Sequence, residues 1–220
     1  MNGGENVNRD MVSYYRDRAP EYDRSAYDRW PERQPDLQES ARILQEAFAG
    51  KSVLEIAAGP GYWTQRIAQT ARSITATDVN QSMLDEAQKK RYPEGKVMFK
   101  KADLYDLGDL PRHDGLFGGF IFSHILKHDL DKFIDTINGY VVPGGMVALM
   151  DNNLTTASDG IDEQGNLLRI RTLEDGSKHQ IIKNYPTEQE LRILLSNRAS
   201  KIDFKNLKHF WILMYQTQGR

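Results

Sequence analysis

Short apolar runs alternate along the chain with amphipathic stretches of helical length. The first run, residues 53–57, leads through a glycine turn into a predicted helix over residues 62–70. Four more strands are predicted at residues 73–78, 96–99, 116–123 and 146–150. Because these runs lack polar alternation and helical stretches separate them, we expect a parallel sheet that is covered on both faces. The pattern predicts a doubly wound α/β fold.

The two ends of the chain add further elements to this core. A capping box at residues 187–190 opens a helix, and residues 201–208 and 210–217 predict two more strands. So short a connection requires an antiparallel pair, since parallel strands need a crossover of about a dozen residues or more. We therefore expect a mostly parallel, seven-stranded sheet with an antiparallel C-terminal strand pair. The aromatic-rich residues 1–48 predict an N-terminal helical lid.

Residues 152–186 form an insertion that a minimal fold of this class does not need. Within it, residues 168–172 and 177–183 alternate apolar and polar side chains and predict a β-hairpin, with Gly176 in a three-residue loop. That loop places four basic side chains on one face: Arg169, Arg171, His179 and Lys183. A cationic face beside an active site favours an anionic substrate. Two alternatives remain to this cationic substrate face. A two-residue turn would place Arg171 and Lys183 on opposite faces of the hairpin, or the basic face is simply exposed to solvent.

The composition narrows the class of protein. The chain has 220 residues, 29 Lys and Arg, 31 Asp and Glu, a net charge of −2 and no Cys. This excludes a disulfide scaffold, a Cys-ligated metal and a thiol nucleophile, and it gives no electrostatic footprint for nucleic acid. No apolar run is long enough to span a bilayer, and the first residues lack a signal-peptide pattern. We expect one cytoplasmic domain over residues 1–220 without nucleic-acid or membrane partners, and the sequence leaves its oligomeric state open.

The turn after the first predicted strand carries the candidate chemistry. Gly59 and Gly61 permit a tight turn and the close approach of a ligand to the backbone. Asp78 ends the second strand, where a carboxylate can accept hydrogen bonds from both ribose hydroxyl groups. Thr64 stands where the dinucleotide fingerprint requires a third glycine, and the acidic Glu55 would repel a pyrophosphate. These residues favour a cationic ligand that contains a ribose.

This turn resembles the first motif of the class I S-adenosylmethionine-dependent methyltransferases, with Ala57 in place of the usual first glycine. Four further motifs follow in the order found in that family: Asp78, Asp103-Leu104, Phe122-Ser123-His124 and Pro143-Gly144-Gly145. The resemblance implies a Rossmann-like methyltransferase fold, methyl transfer to a small molecule, and S-adenosylmethionine as the cofactor. The cofactor-binding residues that it implies are Tyr14, Arg18, Glu55, Ala57, Gly59, Gly61, Trp63, Asp78, Val79, Met83, Asp103, Leu104 and Ser123.

Within that set, the resemblance implies particular roles. Glu55 is expected to orient the loop or offset the positive charge of the cofactor, and Asp78 to bind the ribose. The adenine ring is expected to lie among Val79, Met83, Asp103 and Leu104. Tyr14 and Arg18 share one face of a helix. In related enzymes such a helix covers the cofactor, so Arg18 is expected to pair with the cofactor's carboxylate.

The N-terminal segment, residues 61–64 and the hairpin also resemble the phosphonate O-methyltransferases of dehydrophos biosynthesis. This likeness implies a small anionic substrate held by Arg171, Lys183 and Tyr27. We expect transfer to an oxygen of a phosphonate, phosphate or carboxylate. The alternative is N- or O-methylation of a neutral small molecule with His124 as general base. His124 and His128 are four residues apart, but the further ligand that a metal site needs is not evident, so no metal is expected.

Overall fold

A computed structural model describes residues 3–154 and 158–218. The chain ends and residues 155–157 of the predicted insertion lie outside the described residues. The strands are β1 (Ser52–Ile56), β2 (Ser73–Asp78), β3 (Val97–Lys101), β4 (His113–Gly119), β5 (Val141–Asn152), β6 (Gly160–Ile161), β7 (Leu167–Thr172), β8 (Lys178–Ile182), β9 (Ala199–Asn206) and β10 (Phe210–Thr217). The α-helices are α1 (Gly3–Arg18), α2 (Gln34–Phe48), α3 (Tyr62–Ile67), α4 (Gln81–Gln88), α5 (Leu130–Gly139) and α6 (Glu188–Leu195). None of the helices in this part of the chain has the length and apolar character needed to cross a membrane.

Seven strands form one sheet in the order β3-β2-β1-β4-β5-β10-β9. The first five pair in parallel, and β10 runs antiparallel between β5 and β9. The predicted doubly wound α/β fold with an antiparallel C-terminal pair is therefore confirmed. The carboxyl ends of β1, β2, β4 and β5 meet at one edge, which is where open sheets of this type bind ligands.

Alternate residues of the strands pack on opposite faces of this sheet. Val53 of β1 belongs to the core on the side of α2 and α3, with Phe48 and Ile67. The next residue, Leu54, belongs to the core on the side of α5 and α6, with Phe133. All of these side chains are buried. Burial on both faces explains why the strands read as continuous apolar runs.

The strand boundaries differ most from the sequence-based prediction at the end of β4 and at the start of β5. β4 ends at Gly119 rather than at residue 123, because Phe120 adopts a left-handed backbone (φ 59°) that a strand cannot continue. A single 3₁₀ turn, Phe122–His124, follows instead. β5 begins at Val141 rather than at residue 146, so it includes residues 143–145. The pairing of β4 with β5 shifts register here, so the extra residues form an irregularity within the strand.

The predicted hairpin forms with the three-residue loop. Arg171 lies opposite His179, and Arg169 lies opposite Ile181. Gly176 adopts the left-handed conformation that this loop needs, with φ 86°. The expected register is confirmed, and the short β6 extends the hairpin into a three-stranded sheet.

Helix α1 is fastened to both the hairpin and α4. The Asp10 carboxylate accepts hydrogen bonds from Nδ1 of His179 at 3.0 Å and from the backbone N–H of Gln180 at 2.7 Å. On the α4 side, the Asn80 side chain donates to the Val12 carbonyl at 3.1 Å. Asn80 directly precedes α4, but its side chain contacts α1 and does not cap α4. The N-terminal helix is thus held across the edge of the sheet.

The conformation of Gly61 allows a test of the packing at this edge. Gly61 has φ 80°, and a Cβ atom there would lie 2.4 Å from the Tyr92 hydroxyl and 3.0 Å from Cβ of Ala87. Gly61→Ala should therefore lower the free energy of unfolding by more than the roughly 1–2 kcal/mol of a left-handed alanine alone. The matched control is Gly50→Ala, since Gly50 has φ 69° and a Cβ atom would meet nothing within 4 Å. Urea denaturation compares the two variants, and equal losses would contradict the packing argument.

Candidate active site

The turn after β1 brings backbone amides and a carboxylate together. Ala57, Gly59 and Gly61 have φ angles of 50°, 56° and 80°, so Ala57 adopts a conformation that glycine adopts more easily. The Asp78 carboxylate accepts the N–H of Gly59 at 2.9 Å and the N–H of Asn80 at 2.8 Å. A Cβ atom at Gly59 would meet nothing within 4 Å, because that side of the turn opens into a cavity.

This first cavity has a volume of about 230 Å³ and lies at the carboxyl ends of β1, β2 and β4. The predicted cofactor residues on its wall are Ala57, Gly59, Asp78, Val79, Met83, Asp103 and Leu104. Apolar side chains can enclose a planar ring here, and the carboxylates of Asp78 and Asp103 can accept hydrogen bonds from hydroxyl and amino groups. Such a set of partners fits S-adenosylmethionine, the cofactor that the resemblance implies.

The other predicted cofactor residues lie off this wall: Tyr14, Arg18, Glu55, Gly61, Trp63 and Ser123. Tyr14 and Arg18 line a second cavity instead. The Arg18 guanidinium donates to Oγ of Ser25 at 2.8 Å and lies 4.7 Å from the centre of the Tyr22 ring. Trp63 is buried in the core. Binding of the cofactor's carboxylate by Arg18 stays a prediction.

Glu55 lies beneath the glycine turn, with 1% of its surface exposed. Burial raises the pKa of its carboxyl to about 8, and the neighbouring Thr64 side chain opposes this shift. The side chain is therefore mostly protonated at neutral pH when no cation is near. A cationic ligand would favour the ionised form, which is compatible with the charge-offsetting role that the resemblance implies.

The second cavity has a volume of about 470 Å³ and lies between the hairpin, the segment after α1 and the end of β5. All four predicted substrate-site residues lie on its wall: Tyr27, His124, Arg171 and Lys183. The Tyr27 ring is buried and stacks on Tyr62 at a centroid distance of 3.7 Å. Four residues line both cavities: Tyr15, Tyr22, Phe120 and His124. We call these four residues the junction, because the two cavities meet there.

Two hydrogen bonds fix His124 at the junction. Its Nδ1 lies 2.5 Å from the Ile182 carbonyl oxygen, and its Nε2 lies 2.7 Å from the Tyr15 hydroxyl. A carbonyl only accepts, so Nδ1 carries the hydrogen and Nε2 accepts the hydroxyl hydrogen of Tyr15. Burial, and secondarily the charge of Lys183, lowers the pKa of His124 to about 3. His124 is therefore neutral, and its remaining lone pair is already engaged. His128 lines neither cavity, and 52% of its side chain is exposed.

The cations of the second cavity differ in their partners. Lys183 donates to Oγ of Ser123 at 2.7 Å and to the Asp151 carboxylate at 2.9 Å. Burial is the largest cause that lowers the Lys183 pKa, the charge of Arg171 adds to it, and Asp151 opposes it. An ammonium group has three donors, so one N–H of Lys183 is left for a ligand. Within the described part of the chain, no carboxylate lies within 4 Å of the Arg171 guanidinium.

Two important residues were absent from the sequence-based set. Asp151 holds both Lys183 and the backbone N–H of Ser123, at 2.9 Å in each case. Its place directly after an apolar strand run was a usable signal, because such positions face the ligand edge of the sheet. Tyr15 gave no such signal. The choice between Tyr14 and Tyr15 depends on the rotation of α1 about its axis, which the local sequence does not determine.

Comparisons with known proteins find similar methyltransferases. A family model described as a methyltransferase domain matches residues 53–145. The structure of a DhpI–SAH complex matches 97% of this chain and 98% of its own, with a TM-score of 0.80 and 27% identity. A DhpI–SAM–HEP complex matches 98% of this chain and 99% of its own, with a TM-score of 0.79 and 27% identity.

A protein of Mycolicibacterium smegmatis, named a probable S-adenosylmethionine-dependent methyltransferase, is also similar. It is 25% identical over 149 residues, which make up 67% of this chain and 56% of that protein. The chain thus spans little more than half the length of this relative.

The hydroxyl of Tyr15 allows a test of how the junction anchors α1. Tyr15→Phe removes its hydrogen bond to His124, so amide hydrogen exchange in residues 11–18 should accelerate by roughly five- to tenfold, or about 1 kcal/mol. Tyr14→Phe is the matched control, because Tyr14 is buried and its hydroxyl has no hydrogen-bond partner among the described residues. Equal acceleration in both variants would contradict an anchoring role for the Tyr15 hydroxyl.

Proposed function

We propose that the chain is an S-adenosylmethionine-dependent methyltransferase with the class I fold and that its methyl acceptor is an anionic oxygen of a small metabolite. The acceptor group would be a phosphonate, phosphate or carboxylate bound in the second cavity. The observation that carries this proposal is the Arg171 guanidinium without a carboxylate partner in the described part of the chain, near the buried Lys183. Similarity to DhpI, whose structure is known as a DhpI–SAM–HEP complex, supports a second ligand site of this kind.

S-adenosylmethionine supplies a methyl group on a sulfonium centre, which a nucleophile aligned behind that methyl can accept. Asp78 would bind its ribose and Asp103 its adenine amino group. At the junction, the rings of Tyr15, Tyr22 and Phe120 present aromatic surface that attracts a cation and displaces water. These side chains would therefore orient the reacting groups in a site from which water is largely excluded.

An oxygen that is already ionised needs no general base, so the contribution of the protein is alignment. Arg171 offers a planar fork of donors to an anion, and Lys183 offers its remaining N–H. Both cations would bind the oxygens that do not react, because a cation on the attacking oxygen lowers its nucleophilicity. Tyr27 would form part of the wall against which the acceptor lies.

A neutral acceptor with His124 as general base is the alternative. Two features of the junction count against it. The Nε2 lone pair of His124 already accepts the Tyr15 hydroxyl hydrogen, and the pKa of His124 is about 3. Efficient base catalysis requires a pKa near the working pH. The anionic acceptor is therefore the better supported of the two.

Calorimetry with the product complex tests the proposed acceptor class. The protein is first saturated with S-adenosylhomocysteine and then titrated with simple phosphonates, phosphates, carboxylates and neutral alcohols. We expect one anion class to bind and the alcohols to be silent. Binding of S-adenosylhomocysteine with no anion bound would contradict the proposal. The absence of binding by S-adenosylhomocysteine itself would contradict the assignment of the first cavity.

Removal of the Arg171 charge should separate acceptor binding from cofactor binding. Arg171→Gln should raise the KM for the anionic acceptor by about 10- to 100-fold, the range expected for loss of a hydrogen bond to a charged group. The Kd of S-adenosylmethionine should change far less. Lys178→Gln is the matched control, because it removes an exposed charge from the same hairpin outside both cavities. A silent Arg171→Gln together with a severely impaired His124→Gln would favour the neutral acceptor.

The lowered pKa of Lys183 predicts a pH dependence of anion binding. The protonated ammonium binds the anion, so affinity should fall as the pH rises through a Lys183 pKa that lies below 10.5. Lys183→Arg keeps a charge that does not titrate in this range, so its affinity should stay constant. Calorimetric titrations of the S-adenosylhomocysteine complex between neutral and alkaline pH measure this. The same loss of affinity in both proteins would show that another group titrates.

A further inference from the structure

The second cavity holds more positive charge than one anionic group requires. Six cationic side chains line it: Arg18, Arg29, Arg33, Arg169, Arg171 and Lys183. Two of them are paired with carboxylates, Lys183 with Asp151 at 2.9 Å and Arg169 with Asp159 at 3.1 Å. Among the residues that the structure describes, no carboxylate lies within 4 Å of the remaining four.

Two acidic residues also line the cavity, but a different arginine neutralises them. Arg24 lies 2.7 Å from Glu174 and 3.7 Å from Glu21. Because the whole chain has a net charge of −2, the cationic wall is a local feature rather than part of a generally basic surface. Like charges repel, so such a wall is costly unless an anionic ligand binds it.

The unpaired cations form an inner and an outer group. Arg171 and Arg18 are the inner group, because their charges contribute to the lowered pKa of Lys183. Arg29 and Arg33 are the outer group, in the segment after α1, where they flank Trp30 in sequence. Their guanidinium carbons lie 5.9 Å and 5.0 Å from the centre of the Trp30 ring.

The outer group is held in place but keeps unused donors. The indole N–H of Trp30 donates to the Ser25 carbonyl at 3.2 Å, and 38% of Trp30 is exposed. The ring thus contacts both arginines on the wall of the second cavity. Nε of Arg33 is buried and has no hydrogen-bond partner among the described residues. A buried donor without a partner is unfavourable unless a ligand satisfies it.

We propose that Arg29 and Arg33 form a second anion subsite, so that the acceptor molecule carries an anionic group at each end. The inner anion, at Arg171 and Lys183, receives the methyl group, and the outer anion is a carboxylate or a phosphoryl group. This inference rests on the proposed function. The cavity of about 470 Å³ has room for such a molecule, since its volume falls within the range of sites for drug-sized ligands.

A series of two-ended ligands tests the outer subsite. The S-adenosylhomocysteine complex is titrated with alkylphosphonates, with ω-carboxyalkylphosphonates and with α,ω-bisphosphonates of increasing chain length. For each chain length, the gain in affinity is the Kd of the alkylphosphonate divided by the Kd of the two-ended ligand. We compare the wild-type protein, the double variant Arg29→Gln/Arg33→Gln and the control Arg91→Gln, whose exposed side chain lies outside both cavities.

For one chain length, a second anion should tighten binding by about tenfold or more in the wild type. This gain should be lost in the double variant and kept in Arg91→Gln. The ligand series that binds more tightly, carboxyalkylphosphonates or bisphosphonates, identifies the outer anion as a carboxylate or a phosphoryl group. If the second anion never tightens binding, or if the gain in affinity survives in the double variant, the outer subsite alone is overturned. If phosphonates are silent but another anion class binds in the calorimetric panel described above, the same series is built on that class. If no anion binds at all, the proposed function itself fails.

Discussion

Two consecutive hydrogen bonds, from the Tyr15 hydroxyl to His124 and from His124 to the Ile182 carbonyl, join three elements that line the two cavities. Tyr15 belongs to α1, His124 to the turn after β4, and Ile182 to the hairpin. Because a carbonyl only accepts, the direction of both bonds is fixed, and the imidazole has no lone pair left for a substrate. The position of each element therefore depends on the other two, and a displacement of any of them alters both cavities at the junction.

This constraint explains why the site is suited to alignment rather than to proton transfer. The end of β5 supplies Asp151, which holds Lys183 from the hairpin and Ser123 from the turn after β4. A buried ion pair of this kind adds little net stability, but it fixes the ammonium group in one place. Arg171 lies near it without a carboxylate partner of its own in the described part of the chain. If the proposed function holds, the charges of the second cavity are thus placed for an anion before any ligand arrives.

Much of this arrangement was predictable from the sequence, and the failures have physical causes. The buried strands appear as apolar runs, and Gly176 determined the hairpin register, which was predicted correctly. Three residues of the predicted basic face line the second cavity, Arg169, Arg171 and Lys183, whereas His179 contacts Asp10 of α1. The end of β4 was missed because apolar residues continue past Phe120, whose left-handed backbone gives no signal in composition. The role of Tyr15 depends on the rotation of α1, and the position of Arg18 depends on Ser25 and Tyr22. Such contacts arise from tertiary packing, which hydrophobic periodicity does not encode.

The identity of the methylated atom tests the account most directly. The protein is incubated with S-adenosylmethionine labelled with carbon-13 at the methyl group and with a simple alkylphosphonate, and the product is examined by carbon and phosphorus NMR. Methyl transfer to an ionised oxygen predicts a labelled methoxy carbon that couples to phosphorus. Transfer only to an added neutral alcohol or amine, with the phosphonate unchanged, would contradict it and return His124 to the role of general base.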